Sequence, residues 1–205
     1  VIATDIHHED ISLWLMHELN KQFSGKLDTA IAIFTNNYHR KFFHQLVSGQ
    51  LDADRLDYLV RDSFFSGVAE GVIGYDRIIK MLNVCNDILV VEEKGIYSIE
   101  KFLVSRRLMY WQVYLHKASL SADFMLNRIL KRAKYLFKNN ILDISHQKHL
   151  SYFFEHDIDN TFWNNRDEFL FHFTQLDDTD IWACIKLWCN HSDAILADIC
   201  QRLIN

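Results

Sequence analysis

The chain contains no proline and only six glycines across its 205 residues. Proline removes a backbone donor and clashes with the preceding helical turn, and glycine costs a helix entropy. A stretch this long with so few interruptions points to helix nearly throughout. Fifteen phenylalanines and a hydrophobic fraction of 49% supply a core for one medium domain, or for part of a larger one.

Apolar residues at helical spacing predict helices over 10–23, 28–35, 39–47, 52–64 and 75–84. Further helices are expected over 99–138, 145–155, 161–174, 178–189 and 191–203. The segment 99–138 is long for one globular helix, so a bend is expected near Ser119 or Ser121. Two β-like runs, Ile88 to Glu92 and Ile96 to Ser98, flank Glu93-Lys94-Gly95 and predict a hairpin. Gly67, Gly71 and Gly74 mark a loop whose backbone could approach a ligand. The expected fold is all-α with one small β-hairpin near 88–98.

Charge excludes several partners. The net charge is -5, the sequence pI about 6.1, and no Lys/Arg block is present, so the overall field favours neither nucleic acid nor a membrane surface. No apolar run approaches the roughly 20 residues of a membrane span. The opening residues VIATDIHHED lack the basic and apolar regions of a signal peptide. Cys85, Cys184, Cys189 and Cys200 form no CxxC pair and fit no usual zinc spacing. They are read as reduced, mostly buried thiols of a cytoplasmic protein. The missing initiator Met and the apolar ending, Ile199 to Ile204, give the chain the look of a fragment.

The segment Gln50 to Asp62 (QLDADRLDYLVRD) carries the densest chemistry. At about 100° per residue, Asp54, Tyr58, Arg61 and Asp62 share one face. Ala53, Leu56, Leu59 and Val60 take the other side. Periodicity alone fits an amphipathic helix with a solvated face. Asp52, Asp54, Asp57 and Asp62 fall within eleven residues, which also suits metal or phosphate binding.

The run Asp52-x-Asp54-Arg55-Leu56-Asp57-Tyr58-x-x-Arg61-Asp62 resembles D-x-D-[KR]-x-D-Y-x-x-R-D of HD-domain phosphohydrolases, in particular the deoxynucleotide triphosphohydrolase (dGTPase-like) branch. Ser63 to Gly74, Asp76-Arg77-Ile78-Ile79, the hairpin and Arg106-x-x-x-Tyr110-x-x-x-Tyr114-x-His116-Lys117 follow in the family's order. The likeness runs from about His7 to Ala133. It implies that residues 1–138 are the C-terminal part of an HD-type hydrolase domain, with 139–205 a helical extension of unknown role.

The resemblance makes Asp54 the last ligand of a divalent metal (Mn, Fe, Mg, Zn or Ni) otherwise held by a histidine and a His-Asp pair. Those partners should precede Asp54, and this chain does not contain them. His156-Asp157, the one His-Asp dipeptide, lies far downstream and is read as an ordinary loop pair. The chain by itself is therefore expected to be inactive. The resemblance further places Arg55 on phosphates, Tyr58 and Asp62 on the sugar, and Asp62 on its 3′-hydroxyl. On a continuous helix, Arg106, Tyr110 and Lys117 fall within about 40° of one another, with Tyr114 about 80° from Arg106. That stripe suits a triphosphate and a base; without the resemblance it reads as an aromatic core stripe with a flanking cation. His8 aligns with a histidine near the catalytic centre, where it could move a proton or hold phosphate. Alternatively it belongs to the neighbourhood of an N-cap at Asp10. His146-x-x-His149 has metal-pair spacing but no clear third ligand. Glu168, Asp177, Asp178 and Asp180 read as a solvated acidic stretch.

Three function classes follow. The first is a phosphohydrolase that releases nucleoside and tripolyphosphate from deoxynucleoside triphosphates. The second is an HD-type phosphodiesterase or phosphatase on another nucleotide. The third is a non-catalytic nucleotide-binding or oligomerisation module. Family members are often dimers or larger, so the resemblance also implies a homo-oligomer.

Overall fold

The computed structural model describes residues 6–156, 158 and 165–205. It is mostly helical with one two-stranded antiparallel sheet, as composition led us to expect. The chain divides into two compact units, residues 16–120 and residues 1–15 with 121–205.

In residues 16–120, helices α2 (Asp28–Phe34) and α3 (Phe42–Ser48) precede α4 (Ala53–Ser66), α5 (Tyr75–Met81) and α6 (Ile96–Met109). Asp52 starts α4 as its N-cap, accepting from the Arg55 amide at 2.8 Å. Gly67 ends it in the left-handed conformation at φ 69°. Leu56 and Leu59 enter a core with Ile73, Ile78, Phe102 and Met109, as the helical wheel requires. Ala53, placed on the same side by the wheel, is exposed.

Gly71 is buried in this core and acts as a packing glycine, with no ligand role visible in its surroundings. A Cβ there would lie 2.7 Å from Ser63 Cβ, 2.8 Å from the Leu59 carbonyl oxygen and 2.9 Å from Met109 Sδ. Its missing side chain lets the turn after α4 pack against both α4 and α6.

The hairpin is present, but its strands are β1 (Leu82–Cys85) and β2 (Ile88–Val91), with Leu82 opposite Val91 and Cys85 opposite Ile88. The turn is Asn86-Asp87, at φ 51° and 63°. Asn and Asp tolerate that region, which a tight hairpin needs. Asp87 also accepts from the Lys41 amide at 2.7 Å and Arg40 Nε at 3.1 Å, fixing the turn to the start of α3. Glu93-Lys94-Gly95 is a 3-10 turn leading into α6, so Ile96 to Ser98 is helix and not strand. Residues 82–84 (LNV) extend the apolar pattern of α5, which hid the first strand.

The expected helix over 99–138 is broken earlier than Ser119. α6 ends at Met109, Tyr110–Tyr114 form a π-helical turn, and α7 starts afresh at Lys117. Such turns insert an extra residue per turn and recur at functional sites.

In the other unit, α7 (Lys117–Lys138), α8 (Lys148–Glu155), α10 (Asp178–Trp188) and α11 (Ala194–Ile204) enclose Ile129, Leu136, Leu150, Phe154, Ile185, Trp188 and Leu196. Asp193 caps α11 and takes Arg132 bidentately at 3.1 and 2.5 Å. Asp177, expected in a solvated stretch, forms a capping box with Asp180. A second cluster joins Trp14 of α1 (His8–Gln22) to Tyr152, Phe153, Phe169 and Leu170, the last two from α9 (Arg166–Gln175). The expected helix 161–174 thus starts at Arg166 in what is described; residues 161–164 lie outside the described residues, as does Asp157. All four cysteines are free thiols, with Cys184 and Cys200 buried and Cys85 exposed. Among the described residues no helix is long and apolar enough to cross a membrane.

Candidate functional site

The polar residues of α4 meet the end of α6 in a cluster built on tyrosines. The Tyr114 hydroxyl donates to Asp62 Oδ2 at 2.7 Å. The Tyr58 ring stands edge-on to Tyr114 at 6.0 Å, and Tyr110 edge-on to Tyr114 at 5.2 Å. The Arg106 guanidinium lies 5.8 Å from the Tyr110 ring centroid and donates to Gln50 Oε1 at 3.2 Å. Arg55 Nη1 donates to the Gly49 carbonyl and to the buried Asp52 carboxylate. Tyr58, Asp62, Arg106, Tyr110 and Tyr114, all chosen from sequence, are thereby linked by contacts, and Arg55, the sixth, joins them through its charge acting on Tyr58.

The π-helical turn is what brings the tyrosines round. It carries Tyr110 and Tyr114 on successive turns with rings in contact. The electrostatics report the same proximity. Burial pushes the Tyr58 phenol up first and the Tyr110 phenol adds to it, while the Arg106 and Arg55 cations pull it back. Tyr114 is held well above the usual phenol range, first by burial and then by its bond to the Asp62 carboxylate. Both phenols therefore stay protonated donors through the neutral range. With two guanidinium groups and a carboxylate that keeps acceptor capacity, the cluster can hold an anion beside a hydroxyl-bearing, π-faced group.

Other expected residues have different surroundings. Asp54 is exposed in the first turn of α4, with no ion-pair or hydrogen-bond partner among the described residues. Lys117 is exposed and begins α7 beyond the break, so the alignment with Arg106 and Tyr110 computed for a continuous helix does not hold. Arg61 turns to Asp57, with Asp62 Oδ1 3.9 Å from its Nε. His8 belongs to the unit containing residues 121–205; it is exposed and its Nε2 lies 3.1 Å from Glu9 Oε1. Asp10 is not the N-cap, because α1 begins at His8; its carboxylate accepts from the His7 amide at 3.0 Å. His149 turns its Nδ1 to His172 Nδ1 at 3.2 Å, while His146 is exposed.

Two residues of the cluster went unassigned from sequence. Asp52 was one acid among four, yet it orients Arg55; its cap position three residues before Arg55 was the available signal. Gln50 receives Arg106 and gave no signal, since the two are 56 residues apart.

Among the described residues no group of three or more His, Cys, Asp or Glu side chains is placed to hold a metal ion. Asp54 offers one exposed carboxylate, so the described residues do not by themselves form a metal centre. A separate apolar groove of about 680 Å³ runs along another face of α4, between Leu46, Val60, Phe64, Tyr75 and Ile79. It shares none of the six clustered residues. Its lining is mostly apolar, with Arg61 its one cation and Tyr75 its one phenol, so the tyrosine cluster is the better candidate for the chemistry.

Residues 73–151 match the family model of the HD associated region. A phosphohydrolase from Bacteroides thetaiotaomicron, solved by crystallography, is 51% identical with a TM-score of 0.94; the match covers 100% of this chain and 51% of that one. The uncharacterized protein YwfO of Bacillus subtilis is 33% identical over 187 residues, 91% of this chain and 41% of its own length. The deoxynucleoside triphosphate triphosphohydrolase SAMHD1 homolog of Dictyostelium discoideum is 26% identical over 144 residues, 64% of this chain and 28% of its own. The chain is thus similar to a phosphohydrolase over its whole length and to the HD associated region over residues 73–151. It spans about half or less of the length of these relatives.

Proposed function

We propose that the full-length protein is a metal-dependent HD-type phosphohydrolase that cleaves deoxynucleoside triphosphates to nucleoside and tripolyphosphate. The observation that carries this reading is the Tyr114–Asp62 hydrogen bond, set among Arg55, Tyr58, Arg106 and Tyr110. The similarity to a phosphohydrolase and to a triphosphohydrolase homolog supports the reaction class.

Arg55, oriented by Asp52, and Arg106, oriented by Gln50, meet the phosphates. Each uses one nitrogen for its protein partner and keeps further donors for oxygen. Asp62 accepts from the sugar 3′-hydroxyl while Tyr114 occupies Oδ2. Tyr58 and Tyr110 offer ring faces and hydroxyls to the sugar and base. A divalent ion, once held in the full-length protein, would supply an activated water and neutralise phosphoryl charge. Asp54 is the carboxylate this chain would contribute to it.

The test is turnover of a deoxynucleoside triphosphate panel by the full-length protein with Mn²⁺, with products followed by ³¹P NMR, beside Asp54→Ala. Tripolyphosphate release lost in the variant is the expected result. Orthophosphate release would indicate a phosphatase on the nucleotide. Nucleotide binding without any turnover would indicate a binding module.

A further inference from the structure

We propose that the groove between α7 and α11 is a docking site for an acidic amphipathic helix of a partner protein. The groove lies within the unit that contains residues 121–205 and has a volume of about 670 Å³. On α7, Phe124, Arg128, Lys131 and Tyr135 fall within about 60° of arc at about 100° per residue, and they span about 16 Å of helix. Ile195 and Ile199, one turn apart on α11, form the opposite wall. Phe124, Tyr135 and Ile195 are 66%, 56% and 55% exposed, so the groove offers apolar surface that an occupant would bury.

The charges select the occupant. Arg128, Lys131 and Arg132 line the groove against one carboxylate, Asp123, in a chain whose net charge is -5. Arg132 is already committed. Asp193 takes it bidentately at 3.1 and 2.5 Å, and its guanidinium lies 5.1 Å from the Tyr135 ring centroid. That pair braces α7 against α11 and fixes the width of the groove. Arg128 and Lys131 are exposed, and neither has a partner among the described residues. They stand midway along the stripe, with an aromatic ring beyond each end. An occupant must therefore bring carboxylates to its centre and apolar side chains to both ends. Over about three helical turns, that is the pattern of an amphipathic helix laid in a groove. Exposed aromatic residues beside an arginine are frequent anchors of such contacts. A nucleic-acid backbone fits less well, because its binding rests on many phosphate contacts and only two cations here are uncommitted.

The groove shares no residue with the tyrosine cluster, and the inference does not rest on the reaction assigned above.

Fluorescence anisotropy on the full-length protein tests it, with three labelled peptides of about 16 residues as probes. The first is amphipathic, with leucines on one face and glutamates along its flanks. The second has lysine in place of glutamate. The third has the acidic composition in scrambled order. The parent should bind the acidic amphipathic peptide about tenfold or more tightly than either of the others. Arg128→Glu combined with Lys131→Glu should turn the preference to the lysine peptide by a similar factor, which also shows that the variant is folded. Phe124→Ala should weaken binding of the acidic peptide by about fivefold or more. No binding of the acidic peptide, equal binding of its scrambled form, or an unchanged preference in the charge-reversed variant would each overturn the proposal. Tighter binding of an oligothymidylate, lost in the charge-reversed variant, would also overturn it and assign the groove to nucleic acid.

Discussion

Tyr114 donates its hydroxyl to Asp62 at 2.7 Å, joining a π-helical turn to a helix 52 residues earlier. Burial and the carboxylate together raise the Tyr114 phenol well above its ordinary value near 10. The folded value exceeds the unfolded one, so the stabilisation is complete below about pH 10 and is lost as pH rises through the folded value. Tyr114→Phe should remove one late-ionising phenol from an alkaline titration followed by tyrosinate absorbance. It should also raise KM for the nucleotide by about tenfold, through a loosened Asp62. A Tyr114→Phe titration that overlays the parent would contradict this.

Gly71→Ala should cost about 1–3 kcal/mol, because the added methyl meets Ser63, the Leu59 carbonyl and Met109 at 2.7–2.9 Å. Urea unfolding measures that cost. Since Gly71 packs between α4 and α6, the same variant should weaken nucleotide binding without touching a site residue. Unchanged stability would show that the turn yields easily and does not set the spacing.

His172 stacks on Tyr152 with ring centroids 4.0 Å apart and faces His149 Nδ1 at 3.2 Å. Burial lowers its pKa first and His149 lowers it further, while Glu168 opposes. The folded value lies below the unfolded one near 6.5, so stability is fully present above about pH 6.5 and falls as pH drops through the folded value. His156 and Lys148 also act on it, both in the lowering direction. His172→Phe keeps a ring against Tyr152 and should flatten the acid limb of the unfolding midpoint plotted against pH. An acid limb identical to the parent's would assign the titration to another group.

Helix content and the charged face of α4 were legible because both rest on local periodicity. The hairpin was legible in kind but not in register: Leu82 to Val84 read as helix, and the Asn86-Asp87 turn was the missed signal. The break between Tyr114 and Lys117 was expected a few residues late, near Ser119 or Ser121, since no glycine or proline marks it and a π-helical turn has no simple composition. That break is why Lys117 was aligned with Arg106 on a helix that does not continue. The six clustered residues were chosen through family resemblance. Their contacts, such as Gln50 with Arg106 or Asp62 with Tyr114, required tertiary structure because each spans more than fifty residues.

The most direct test of the account concerns Asp62. The measurement is kcat/KM of the full-length protein for a deoxynucleoside triphosphate and for its 3′-deoxy analogue, each with the parent and with Asp62→Asn. The parent should prefer the 3′-hydroxyl substrate by about tenfold to a hundredfold, and Asp62→Asn should lose most of that preference. A parent that turns over both nucleotides equally, or a preference that survives in Asp62→Asn, would contradict the assignment of the tyrosine cluster as the sugar site.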